Sequence, residues 1–132
     1  MLEQIRNLPE WEKYLDYLRK SNSSENNQAS GLIRSARYPV TAALHRDLNR
    51  PILYITDKPS RANLAGDEIP FWLGEEVLEM FPAPDPLFYE QGSWDPAIRA
   101  ARLKTLTILS ESAIPGGSAR NLPPLIVAPI RA

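Results

Sequence analysis

The chain has 132 residues, no cysteine, 15 basic against 16 acidic side chains and a formal charge of −1. Its length fits one domain with a core that needs no disulfides, and the absent cysteines exclude disulfide scaffolds and zinc fingers while permitting a reducing compartment. The balanced charge argues against tight independent DNA binding, and the absence of a long apolar run or a secretory pattern argues for a soluble, cytoplasmic protein.

In chain order, residues 9–20 read as a helix. Pro9 suits its first turn, and Leu8, Trp11, Leu15 and Leu18 recur at helical spacing. Residues 21–28 are polar and read as a linker, which makes residues 1–29 an N-terminal appendage and residues 30–132 the main body. Pro39 opens a second helix to about Leu48, with Val40, Ala43, Leu44 and Leu48 on one face. Residues 51–56 form a short apolar run of the buried-strand kind. Asp57 and Ser60 are capping residue types for a third helix over 60–73, which Pro70 kinks or ends. Residues 77–81 give a second strand, and a proline-rich stretch then runs to Trp94. Asp95-Pro96 starts a fourth helix by the cap-then-proline rule. After Gly116-Gly117-Ser118, residues 125–129 form a third apolar strand. This alternation predicts an α/β domain: a short parallel sheet with helices on both faces. Three strands make a thin sheet, so the expectation is the leading segment of a larger domain or one of minimal size.

Between linker and second helix lies Gly31-Leu32-Ile33-Arg34-Ser35-Ala36-Arg37-Tyr38. It has the length and first glycine of the phosphate-binding loop G-x-x-x-x-G-K-[ST]. That motif works because glycine backbone wraps the phosphates, lysine reaches their oxygens and a small hydroxyl meets magnesium. Here Ala36 replaces the second glycine, Arg37 the lysine and Tyr38 the hydroxyl. The reading is a degenerate loop without cofactor or catalytic residues. Arg37 near a helix N-terminus retains the means to hold an anion. A chance match of one glycine to one arginine is the plainer alternative.

Other candidates weigh less. His45 has no cysteine to join it, and Asp47 lies two residues away on a different helix face, so a surface or half-buried histidine is expected rather than a metal ligand. Asp57 sits at a strand end, where α/β enzymes place carboxylates, but also where a helix cap belongs, and the cap is favoured. Phe81, Phe88, Tyr89 and Trp94 surround a run of prolines and read either as a docking surface or as a plug over the sheet edge. Arg102, with Phe88, Tyr89 and Trp94, completes the candidate interaction surface. Arg99, Arg102 and Lys104 read as a mixed-charge helix face.

Several landmarks occur in a fixed order: the Gly-x-x-x-Ser-Ala loop and its helix, residues 50–57, Phe81-Pro82-Ala83-Pro84-Asp85-Pro86-Leu87-Phe88-Tyr89, Asp95-Pro96-Ala97-Ile98 with Arg102-Leu103, and residues 125–132. Over about residues 30–132 this set resembles the N-terminal region of the bacterial transcription-repair coupling factors, the Mfd family. The turn differs, with Pro86-Leu87-Phe88-Tyr89 where Leu-Pro-Tyr is commoner. The resemblance implies kinship with the UvrB repair helicase and a decayed ATP site. It implies a UvrB-like module of nucleotide excision repair that is not an enzyme and helps recruit UvrA to stalled RNA polymerase, the translocase motor lying elsewhere in a longer protein. Family members continue into an inserted second domain expected to carry most UvrA contact. The implied partners are UvrA, RNA polymerase and other domains of the same protein, with no membrane. Two alternatives stand beside this reading: a small flavodoxin-like domain binding a phosphorylated ligand, and an active P-loop nucleotide-binding enzyme.

Overall fold

Proline placement sets most of the helix boundaries. A computed structural model of the chain describes residues 2–20, 31–73, 78–84, 95–114 and 123–132, which fall into two separately packed units, Met1–Asn49 and Arg50–Ala132.

The first unit is helical: α1 (Leu2–Arg6), α2 (Pro9–Lys20) and α3 (Arg34–Leu48). The sequence reading missed α1, whose five residues carry too short a pattern to register. Helix α2 begins at Pro9 as expected, with Glu10 and Glu12 in its first turn and Arg19 and Lys20 in its last, matching the helix dipole. Trp11 and Leu15, one turn apart, are its buried anchors. Helix α3 starts at Arg34, five residues before the expected Pro39, which sits inside the helix and forfeits one backbone bond. Its buried residues are Pro39, Ala42, Ala43 and His45; of the face read from Val40, Ala43, Leu44 and Leu48, Ala43 is buried and the other three are half-buried. The helix ends at Asn49, whose left-handed φ of 48° suits an asparagine C-cap, and the Asn49 N–H donates to the His45 carbonyl.

The second unit is the expected α/β arrangement: β1 (Ile52–Thr56), α4 (Pro59–Glu68), α5 (Pro70–Leu73), β2 (Leu78–Met80), α6 (Pro96–Ala113) and β3 (Leu125–Pro129). All pairings are parallel and the strand order is β1-β3-β2. The central strand β3 is buried along its whole length, which is why its sequence is apolar without alternation. Full burial of side chains such as Leu125 and Val127 stabilises by roughly 1.5–3 kcal/mol each.

The register sorts the side chains. Leu53, Ile126 and Glu79 align on one face, with Ile55 beside Ala128; Tyr54, Val127 and Met80 align on the other. Helix α4 covers the second face, bringing Gly66 against Met80. Helix α6 lies on the first, held to β2 through Lys104 and Glu79. The β1-to-β2 and β2-to-β3 crossovers thus run in opposite directions across the sheet on opposite faces, which gives both the same hand.

Pro70 separates α4 from α5, as its missing N–H requires. Asp95 caps α6, its carboxylate accepting the Ala97 N–H at 2.6 Å ahead of Pro96 in the first turn. Asp57 does not cap α4. The capping position falls on Lys58, without a side-chain bond, and the Asp57 carboxylate takes both short contacts of Arg61 Nη1, at 2.8 and 2.9 Å. The tight turn held by Thr56 Oγ1, which donates to the Lys58 carbonyl at 3.0 Å, puts the capping position one residue beyond the aspartate.

Candidate functional site

A phosphate loop needs a run of backbone N–H groups turned inward before its helix begins. In this chain only Gly31, Leu32 and Ile33 are non-helical, and Arg34, Ser35, Ala36, Arg37 and Tyr38 already belong to α3. The Ala36 N–H is spent on the Ile33 carbonyl at 3.0 Å. Arg34, Ser35 and Arg37 are exposed, and Arg37 Nε donates to the Leu32 carbonyl at 3.4 Å, back along its own chain. Space around Gly31 is open: a methyl group there would meet nothing within 4 Å. What the segment presents is an exposed, uncapped helix start with no acidic residue in its first turn, rather than a cradle.

His45 is buried, not superficial, because the inward face of α3 is set by Ala42 and His45 three residues apart. Asp47 faces the other helices of its unit: it accepts Trp11 Nε1 at 2.8 Å and Arg6 Nε at 3.0 Å. Among the described residues, no group of three or more His, Asp or Glu could hold a metal ion. None of the described helices is long and apolar enough to cross a membrane.

Phe88, Tyr89 and Trp94, three members of the candidate interaction surface, lie outside the described residues. The fourth, Arg102, is half-buried and turned to its own fold. Its guanidinium sits 4.1 Å from the centre of the Phe81 ring and donates to the Pro82 carbonyl at 2.7 Å. This clamp fixes the chain leaving β2 against α6. One turn along, Thr105 Oγ1 donates to the Met80 carbonyl at 3.1 Å, and Lys104 Nζ reaches Glu79 at 3.0 Å. Glu79 is the polar residue the sequence reading missed: a carboxylate 5% exposed on the α6 face of β2. Its position within Val77-Leu78-Glu79-Met80-Phe81 was the available signal, since a lone acid inside an apolar strand requires a partner.

Away from this polar pin, the same sheet face is open among the described residues. Leu53 and Ile55 of β1 are each 59% exposed, although their strand reads as a buried one. With Leu106 and Leu109 of α6, Phe81 and Ile130 they border an apolar groove of about 430 Å³. The lining offers a mainly apolar contact surface.

Compared with known proteins, the chain is similar to the transcription-repair-coupling factor of Bacillus subtilis (strain 168), with 30% identity over 103 residues. That alignment takes in 78% of this chain and spans 8% of the length of that protein. No protein-family model and no solved structure matches the chain.

Proposed function

We propose that the chain is a non-catalytic module of the transcription-repair-coupling type, which positions nucleotide excision repair proteins at a stalled RNA polymerase. The observation that carries this reading is the 30% identity, extending over 78% of the chain, to a protein of that name. The structure supports the non-catalytic part of it. Helix α3 occupies the segment where a phosphate cradle would lie, and the arginine in the lysine position is exposed and bonded to its own backbone. Without inward N–H groups and a metal-binding hydroxyl, the segment lacks the parts that phosphoryl transfer uses.

Two measurements test the two halves. Calorimetric titration with ATP and magnesium is expected to give no saturable heat, and saturable binding removed by Arg37→Ala would overturn the non-catalytic half. Immobilised chain is expected to retain UvrA or RNA polymerase from purified mixtures. Retention of neither by the chain, when a longer coupling factor retains both, would remove the recruitment role.

A further inference from the structure

Among the described residues, the outer edge of β1 carries a self-complementary set of unused hydrogen-bonding groups. Toward β3, the Ile52 N–H donates to the Pro124 carbonyl at 3.2 Å and the Thr56 carbonyl accepts the Ile130 N–H at 2.7 Å. Successive residues of a strand point their backbone groups to opposite sides. Residues 52, 54 and 56 therefore face β3, and Leu53 and Ile55 turn both N–H and C=O outward. Among the described residues nothing meets these outward groups, since β3 is the only strand paired with β1.

We propose that β1 pairs antiparallel with β1 of a second copy of this chain, about a two-fold axis at Tyr54. In that register Leu53 lies opposite Ile55 of the second copy. Each such pair exchanges two backbone bonds, and symmetry supplies the second pair, so every outward group of both strands is used. A one-residue slip would set inward-turned groups against outward ones and break the set. Side chains agree with the backbone: Leu53 and Ile55 are both 59% exposed on one face, so two leucines and two isoleucines meet as direct cross-strand neighbours.

The edge also lacks the usual protection against such pairing. No charge, bulge or internal proline interrupts Ile52–Thr56. Among the described residues of the second unit, α4 packs chiefly over the central strand and α6 over β2 at the far edge. The apolar grooves of the two copies become continuous across the axis. The inference is independent of the proposed function.

Sedimentation equilibrium of the full chain tests it, and a small interface of this kind is expected to dimerise at about 100 μM. Hydrogen exchange supplies the local readout: the Leu53 and Ile55 amides gain protection as concentration rises, while the Tyr54 amide, already turned toward β3, does not change. Ile55→Pro removes one outward N–H per copy, and Leu53→Lys sets a charge beside each isoleucine; both are expected to give monomers with unchanged circular dichroism. Should Ile55→Pro unfold the chain, Leu53→Lys decides alone. A monomer at every concentration, or a dimer indifferent to Leu53→Lys, overturns the proposal.

Discussion

Trp11 Nε1 donates to Asp47 Oδ2 at 2.8 Å, and Arg6 closes on the same carboxylate from α1, its Nη2 lying 2.8 Å from Oδ1. One residue of α3 thereby holds both preceding helices. Arg19 of α2 adds a longer bond, 3.3 Å, to the Asp47 carbonyl. The Asp47 side chain is 9% exposed and that of Arg6 43%, so solvent screens the ion pair in part and the indole bond with the packing around it carries more of the energy.

Asp47→Ala is accordingly expected to destabilise the helical unit by about 2 kcal/mol, the value of one charged hydrogen bond and a partly screened pair. Asp47→Asn keeps an acceptor for the indole and should lose about half as much. Urea unfolding measures both, followed by fluorescence in a background carrying Trp72→Phe and Trp94→Phe so that Trp11 alone reports. Equal losses would mean that charge, not hydrogen bonding, holds α2 to α3.

On β2, Glu79 places a carboxylate 5% exposed within 3.0 Å of Lys104 Nζ, whose own side chain is mostly in solvent. Removing the ammonium takes one of its partners from a buried charge, so Lys104→Met is expected to destabilise by about 1–3 kcal/mol. Replacing both residues, Glu79→Leu with Lys104→Met, removes the desolvation cost together with the attraction and should recover most of that loss. Chemical denaturation of the four corners of this cycle gives the coupling. Strict additivity would show that Lys104 has no hold on the buried acid.

The sequence disclosed strands and proline-bounded helices well because those signals are local. An apolar run such as residues 125–129 needs no knowledge of its neighbours to be read as a central strand, and Asp95-Pro96 fixes a helix start by itself. What it concealed depended on partners far along the chain. Asp47 gains its role from Trp11 and Arg6, 36 and 41 residues away. Residues 51–56 look like a buried strand by composition, yet edge placement leaves Leu53 and Ile55 in solvent. The loop resemblance at Gly31–Tyr38 was legible as a pattern, but the start of α3 at Arg34 was not, because Pro39 drew the boundary to itself.

Two aspartates beside prolines separate capping from mere proximity. Asp95 bonds the Ala97 N–H at 2.6 Å, and Asp95→Ala is expected to cost about 1 kcal/mol. Asp57 pairs with Arg61 one turn on, both about half exposed, and Asp57→Ala should change stability by about 0.5 kcal/mol or less. Paired thermal melts of the two variants decide this; a larger loss at Asp57 would show that its carboxylate supports the start of α4 after all.

At Gly66 of α4 the helix approaches the sheet closely: a methyl group there would lie 2.8 Å from Met80 Sδ on the covered face. Two effects then oppose one another in Gly66→Ala. Alanine favours the helix by about 1 kcal/mol over glycine, whereas forcing a packed neighbour aside costs about 1–3 kcal/mol. Because the thioether is flexible and Met80 only half-buried, the lower end applies, and Gly66→Ala should lie within about 1 kcal/mol of the parent. Met80→Ala removes the obstacle at the price of its own packing. In that background the same glycine substitution should become stabilising by about 1 kcal/mol, the full helix preference. Denaturant midpoints for the parent, both single variants and the double variant separate the two terms. If the glycine substitution has the same effect with and without Met80, contact with the thioether is not what holds position 66 to glycine.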